Sequence, residues 1–384
     1  MKINRIFLDW QSSCLHQAAD WLLEQAARSD EPMDLSQATL VVSGARAGRR
    51  LLEILVEKSA GRAMTPPDII TISNLPEKLY RPQSRKASDL TARMFMAQVI
   101  AQTPPEKLLP LLRHPPGSGD VISLLSLAGE FQKVAQELSG QQLSFEKVAD
   151  LCSQQSLVDY DDQKRWRVLA DLQNRYESLL QSYGMQDADM ARRQALQEGR
   201  LTHSGAVVLI AVTDLPAMHR AMLQAIDGQV YALIHAPESL ADAFDDEGVP
   251  ITGLWEDRPT PVDEPSVHLV DRPLDQAYEI SRIIAQYQPL PHADQITVGL
   301  GDPQLGPLAC RSLEATGVPS RLVTGKPMTQ SLPLVLLDLL AGLLNRQTTR
   351  ELAQVLRCPP VEARIRQALG DSGHLLLTHL DKYL

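Results

Sequence analysis

The strongest constraint on the fold is the alternation of strand-like and helix-like segments along the first 75 residues. Apolar strand patterns occupy residues 5–10, 39–43 and 69–72, and amphipathic helix patterns occupy 13–28 and 45–58 between them. Strands that alternate with helices pair in parallel, because each helix carries the chain back across one face of the sheet. The region is therefore predicted to be an α/β domain with a parallel sheet.

The next segment, residues 76–203, has no strand pattern and is predicted to be helical. Residues 125–138 and 165–184 carry apolar side chains at three- and four-residue spacing. Strand patterns return at 206–211 and 230–235. The simplest topology is an all-helical insert whose flanking strands belong to one sheet.

An acidic stretch follows. Between Asp242 and Glu264 there are eight carboxylates and one basic residue, Arg258, interrupted by three prolines. This composition predicts a solvated connection between domains rather than a site.

The α/β pattern then begins again and predicts a second unit. Strand patterns at 267–270, 295–301 and 320–324 are separated by helix patterns, and further helices run to Leu384. The last residues form an apolar-patterned helix without a polar tail, which suggests that the chain is part of a longer protein.

Bulk composition limits the environment and the partners. The 37 basic and 47 acidic residues give a net charge of −10, which argues against a surface that is basic all round but allows a local basic groove. No apolar run has the length of a signal peptide or of a membrane span. The four cysteines are far apart, so neither disulfides nor a metal site is suggested. A cytoplasmic protein without membrane contact is predicted.

Residues 41–55, VVSGARAGRRLLEIL, lie where an α/β fold of this kind would carry a phosphate-binding loop. A working loop reads G-x-x-x-x-G-K-[ST], in which Lys neutralises the terminal phosphates and the hydroxyl holds magnesium. Here Gly44 and Gly48 are one residue too close, and Arg49 and Arg50 follow instead of Lys and a hydroxyl. Arginine keeps the charge but cannot ligate magnesium. The loop is predicted to be degenerate, and ATP and magnesium are not expected to bind.

Two interpretations of this basic turn stay open. It is either a tight strand-to-helix turn with a solvated first helical turn, or an anion site where Arg46, Arg49 and Arg50 contact DNA phosphates beside the helix N-terminus.

Further along, Asp214 alone follows the strand that would carry the magnesium-binding Asp-Glu pair of an ATPase. Asp214 also suits the cap of the helix after Pro216, which we favour.

Several short motifs follow one another in a distinctive order. They are Asp-Trp at the end of the first strand, the Gly-Ala-Arg-Ala-Gly-Arg-Arg turn, Tyr-Glu-Ser-Leu-Leu and Gly-Met-Gln-Asp closing the insert, and then VVLIAVTDL. In this order they resemble the AddB-type family of inactivated superfamily I helicase subunits. The second unit, with AYEISRII and ITVGLGDPQLGPLACRSLEATGVPSRLVTGKPM, resembles the start of the second RecA-like lobe of UvrD-type helicases. Gly301 and Asp302 stand where active members place a phosphate-contacting Arg.

The resemblance implies P-loop NTPase (RecA-like) parallel sheets with an inserted all-helical subdomain. Its segments would be residues 1–75 and 204–240 as the first lobe, 76–203 as the insert, 241–265 as an acidic linker and 266–384 as the start of the second lobe with a helical continuation.

The resemblance also implies a function. It is that of a non-hydrolysing scaffold that binds DNA, either single-stranded or at a duplex end, and pairs with an active helicase or nuclease subunit in double-strand-break repair and recombination. Family members usually carry a C-terminal PD-(D/E)XK nuclease domain, often with an iron–sulfur cluster. Neither can be placed in these residues, so no catalytic residue, metal ligand or cofactor is assigned to them.

Further candidates for DNA contact lie where the chain enters the insert: Arg81, Arg85, Lys86 and Arg93. Basic residues of helicase-like proteins meet the backbone of single strands, although a solvated positive face is the alternative. With 4% aromatic residues, extensive base stacking is not expected. Two other functions stay open, a divergent active P-loop ATPase and a protein-interaction module that uses the insert without binding DNA.

Overall fold

A computed structural model of the chain describes residues 3–26, 33–153, 162–259, 262–325 and 327–370, and near the end 375, 376, 378–380 and 382. The chain forms two compact units, which divide after Pro259.

The first unit contains all the strands found in the described residues. They are β1 (Asn4–Leu8), β2 (Met33–Asp34), β3 (Ala38–Val42), β4 (Met64–Thr65), β5 (Asp68–Thr71), β6 (Arg85–Lys86), β7 (Met185–Gln186), β8 (Ala206–Ile210) and β9 (Gln229–His235). Five of them form the central sheet in the order β1-β9-β8-β3-β5, and every neighbouring pair is parallel. The predicted parallel sheet is confirmed, and the strands after the insert do return to it.

The helices of the first unit connect and cover these strands. They are α1 (Cys14–Ala26), α2 (Ala45–Lys58), α3 (Asp89–Ala101), α4 (Pro105–Leu108), α5 (Val121–Gly140), α6 (Phe145–Ser153), α7 (Gln163–Ser182), α8 (Ala188–Gln197), α9 (Ala217–Ala225) and α10 (Thr252–Glu256). The helix predicted at 45–58 has the same bounds in the structure.

Both faces of the sheet are buried, because successive residues of a strand point to opposite sides. On one face Leu40 and Val208 pack with α1 and α2. On the other face Val41 and Leu209 pack with α8 and α9. This burial on both sides explains why the strand sequences are continuously apolar.

The insert has a core of its own, which α3, α5, α6 and α7 build around Phe131, Phe145 and Tyr176. The rings of Phe131 and Phe145 are 4.8 Å apart at their centroids. The insert is not entirely helical, because the two-residue strands β6 and β7 pair in parallel where the chain enters and leaves it. Such a short pairing has no sequence periodicity, so the pattern could not predict it.

Residues 243–250 of the acidic stretch are largely buried or half-buried, whereas residues 251–257 are mostly exposed. Arg220 of α9 reaches Asp245 and Glu247 with one guanidinium nitrogen, at 2.6 Å from each carboxylate. Val249 is buried in the core beside the sheet. The expectation of a solvated connection is therefore wrong for residues 243–250, where Arg220, which is distant in sequence, compensates two of the eight carboxylates.

The second unit consists of helices and irregular segments in the described residues. The helices are α11 (Pro273–Ala285), α12 (Leu305–Ala315), α13 (Leu332–Arg346), α14 (Thr349–Leu356) and α15 (Pro359–Leu369). The predicted strands at 267–270, 295–301 and 320–324 are wrong, since none of these segments pairs in a sheet. Parallel strands need a ladder and cover on both faces, whereas Leu269 is 93% exposed. The apolar-patterned end of the chain lies largely outside the described residues.

Candidate functional site

The strand order places a topological switch point between β3 and β8. From β3 the chain moves outward to β5, and from β8 it moves outward in the opposite direction to β9. The helices that follow, α2 and α9, therefore lie on opposite faces of the sheet. In open α/β sheets, ligands bind in the crevice that this divergence leaves at the carboxyl ends of the strands.

The turn after β3 forms one side of this crevice. Only Ser43 and Gly44 separate the strand from α2, so the chain turns from strand to helix in two residues. Gly44 is the N-cap and has extended backbone, and no side chain caps the helix. A Cβ built on Gly44 would meet nothing within 4 Å. The first N–H groups of α2 therefore have no side-chain cap, and an uncapped helix N-terminus favours an anion.

Gly48, the second glycine of the predicted phosphate loop, belongs to α2 rather than to a loop. It is buried, and a Cβ at this position would lie 2.8 Å from Cγ2 of Ile69 in β5. The glycine therefore allows the helix to approach the sheet. A loop long enough to wrap a triphosphate is absent between β3 and α2, and the geometry is that of the tight strand-to-helix turn.

The three arginines of α2 differ in their surroundings. Arg46 and Arg49 are exposed. Arg49 has no hydrogen bond or ion pair with any of the described residues. Arg50 contacts Glu53 at 3.0 Å and Glu57 at 3.3 Å, and its pKa is raised, chiefly by the hydrogen bond to Glu53. The charge of Arg50 is thus partly compensated along its own helix.

The segment after β8 forms the other side of the crevice. Ala211 adopts a left-handed backbone conformation with φ +46°, and its N–H donates to the carbonyl of Leu233 at 2.9 Å. A non-glycine residue in this region costs about 1–2 kcal/mol. Asp214 is exposed, and the N-cap of α9 is Pro216 without a side-chain cap bond. The expected capping role of Asp214 is therefore wrong, because the helix begins too late for its carboxylate to reach.

The four cations at the entry to the insert are all exposed. Lys86 pairs with Glu77 at 3.2 Å, and the guanidinium of Arg93 lies over Gly129 of α5. Lys86 and Arg93 line one cavity of about 520 Å³, whereas Arg81 and Arg85 do not line it. The structure thus brings together two of the four DNA contacts that were predicted at the entry to the insert.

The same cavity holds a charged cluster that sequence reasoning missed. Asp189 has an 18% exposed side chain and lies 3.3 Å from Arg192. Burial, followed by the negative charge of Asp187, raises the pKa of Asp189 to about 6. Asp187 caps α8 and accepts a hydrogen bond from the hydroxyl of Tyr176 at 2.9 Å. The pattern D-x-D-x-x-R-R at the start of α8 could have indicated this cluster in the sequence. The burial of Asp189 could not be predicted, because it depends on helices that are distant in sequence.

Comparison with known proteins finds no matching protein-family model and no significant curated relative. The class that the structure defines is an α/β protein with a five-stranded, all-parallel sheet, which is compatible with a Rossmann-like or P-loop-like fold. Among the described residues, no helix is long and apolar enough to cross a membrane. In the same residues, no group of three or more His, Cys, Asp or Glu side chains is arranged to hold a metal ion.

Proposed function

We propose that this chain is a non-hydrolysing, helicase-shaped DNA-binding scaffold of an AddB-type helicase-nuclease that processes double-strand breaks. The observation that carries the proposal is the Ser43–Gly44 turn at the switch point of the sheet. It keeps an uncapped helix N-terminus and exposed arginines but has no loop to enclose a nucleotide.

The residues of this turn do not fit magnesium-ATP. The helix begins directly after Gly44, and Gly48 is fixed against Ile69, so the backbone cannot form the cradle that wraps phosphates. No hydroxyl follows in the first helical turn to bind magnesium, and Arg50 is engaged with Glu53 and Glu57. A catalytic step through ATP is therefore not part of the proposal.

The residues do fit a phosphodiester. A DNA phosphate carries one charge and needs no metal ligand, and a helix N-terminus with neighbouring arginines suits it. The left-handed Ala211 on the other side of the crevice is consistent with a functional role, because strained backbone clusters at functional sites. In the family that the sequence resembles, such a scaffold would pair with an active helicase or nuclease subunit. An iron–sulfur cluster would belong to a nuclease domain beyond these residues.

Fluorescence anisotropy of labelled single-stranded and forked DNA tests the proposal. The native chain and the triple variant R46A/R49A/R50A are titrated at about 50 and 200 mM salt, each with and without magnesium-ATP. A charge-matched control is R357A/R364A/R366A in the second unit. Each lost phosphate contact should reduce the slope of log affinity against log salt by about 0.7 for a single strand.

We expect salt-sensitive binding that the α2 variant weakens, that the control leaves unchanged and that magnesium-ATP does not alter. No binding at low salt would overturn the DNA-binding role and favour the protein-interaction module. An ATP-dependent rise in melting temperature would instead favour the divergent ATPase, since a ligand that binds only the folded state stabilises it.

A further inference from the structure

The turn after β1 displays a tryptophan at the carboxyl edge of the sheet. Trp10 is 57% exposed, although its indole N–H is occupied by the carbonyl of His235 at the end of β9, at 2.7 Å. Its backbone N–H donates to the carboxylate of Asp9 at 2.6 Å. The ring is thus held in place while much of its surface remains in solvent.

Gln17 of α1 fixes the whole turn. Its amide oxygen accepts from the backbone N–H of Asp9 at 3.0 Å. Its amide nitrogen donates to the carbonyls of Asp9 at 2.6 Å and Ser12 at 2.9 Å. A side chain that is already ordered loses little conformational entropy when it binds a partner, so the turn is pre-organised.

Trp10 lies on the same edge as the candidate phosphate contact. Leu8 at the end of β1 is in register with His235 of β9, and β8 and then β3 follow across the sheet. Three strand spacings of about 4.8 Å separate the ends of β1 and β3, which is about 14 Å. At about 3.4 Å per stacked nucleotide, this distance corresponds to about four nucleotides.

We propose that Trp10 is a stacking platform for an unpaired nucleic-acid base, on a strand whose backbone follows the carboxyl edge toward the first turn of α2. This inference rests on the proposed function and adds the class of ligand, a single strand rather than a duplex. An aromatic face stacks any base, and arginines further along the edge supply backbone contacts, which is the general arrangement of single-strand binding. A duplex would keep its bases paired and away from the ring.

The test uses a labelled oligothymidylate and an abasic oligomer of the same length, titrated at low salt into the full chain. The variants are W10A, W10F and Q17A, with W255F as the control for a tryptophan elsewhere in the first unit. Circular dichroism and melting temperature verify that each variant is folded. Loss of one stacked base should weaken binding by about 5- to 100-fold.

We expect W10A to weaken binding of oligothymidylate within that range, W10F to retain most of it, and W255F to match the native chain. The abasic oligomer should bind the native chain and W10A about equally. Q17A should lie between the native chain and W10A, because the ring is retained but its turn is released.

Salt-sensitive DNA binding that depends on the α2 arginines but is unchanged in W10A, with no difference between the two oligomers, would overturn the stacking role and leave the proposed function standing. No DNA binding under any of these conditions would overturn both. Binding of duplex and single strand with equal affinity, insensitive to W10A, would overturn both the stacking role and the single-strand class.

Discussion

Gly48 of α2 lies against Ile69 of β5 so closely that a Cβ on the glycine would be 2.8 Å from Cγ2 of the isoleucine. In the sequence this glycine looks like the second glycine of a shortened phosphate loop. In the structure it is a contact glycine within a helix. The structure explains only one of these two glycines. Gly44 has an extended backbone that any residue can adopt, with open space beside it, whereas Gly48 lets the helix rest on the sheet.

Replacing Gly48 with alanine should destabilise the first unit. Overpacking costs about 1–3 kcal/mol, and the better helix propensity of alanine recovers at most about 1 kcal/mol. Urea unfolding followed by tryptophan emission measures the change, because all four tryptophans lie in the first unit. The matched control is G129A in α5, where the new methyl would have ordinary contacts at 3.6 Å. This control should be neutral or slightly stabilising, and equal effects of the two variants would contradict the packing role of Gly48.

Sequence periodicity predicted the first unit well because each strand and helix there has a continuous local pattern. The central strands are apolar on both faces, and the helix at 45–58 has the same bounds as α2. Sequence periodicity gave wrong predictions where a segment is stabilised by partners that are distant in sequence. It could not pair Arg220 with Asp245 and Glu247, and it predicted strands in the second unit that no neighbouring strand supports.

Arg220 should be among the most sensitive charged positions of the first unit. Arg220→Met would leave Asp245 and the 9% exposed side chain of Glu247 without their cationic partner. Loss of one member of a fully buried ion pair costs about 3–5 kcal/mol. Because the side chains of Arg220 and Asp245 are 28% and 26% exposed, the loss here should be smaller, about 1–3 kcal/mol. The double variant R220M/E247M should recover part of the loss, since it removes the most buried of the unpaired charges. Arg50→Met is the control, because exposed pairs contribute at most about 1 kcal/mol. If Arg220→Met and Arg50→Met had the same effect in urea, the 241–259 segment would not depend on this ion pair.

Asp189 should make the first unit less stable as the pH rises. Burial and Asp187 raise its pKa to about 6 in the folded chain, above the value of about 3.9 for an unfolded Asp. Its favourable contribution is complete below about pH 3.9 and is lost as the pH rises through about 6. Asp189→Asn cannot ionise, so its stability relative to the native chain should increase by about 1–3 kcal/mol between about pH 4 and pH 7.5. The exposed Asp171 of α7, changed to Asn, is the control. A difference that does not vary with pH would show that the pKa of Asp189 is the same in the folded and the unfolded chain.

His219 of α9 should make the first unit less stable as the pH falls. It is 8% exposed, and burial, followed by the charge of Arg192, lowers its pKa. Because the folded pKa is below the unfolded value of about 6.5, protonation favours unfolding. The contribution of His219 is complete above about pH 6.5 and is lost as the pH falls. His219→Leu should remove this loss, so its stability relative to the native chain increases as the pH is lowered. The exposed His114, changed to Leu, serves as the control. Urea titrations across the same pH range distinguish the two groups. Relative to the native chain, the free energy of unfolding of Asp189→Asn should increase toward alkaline pH, and that of His219→Leu should increase toward acidic pH. A gain for His219→Leu on the alkaline side would mean that the folded chain stabilises the protonated ring, against the burial that α9 gives it.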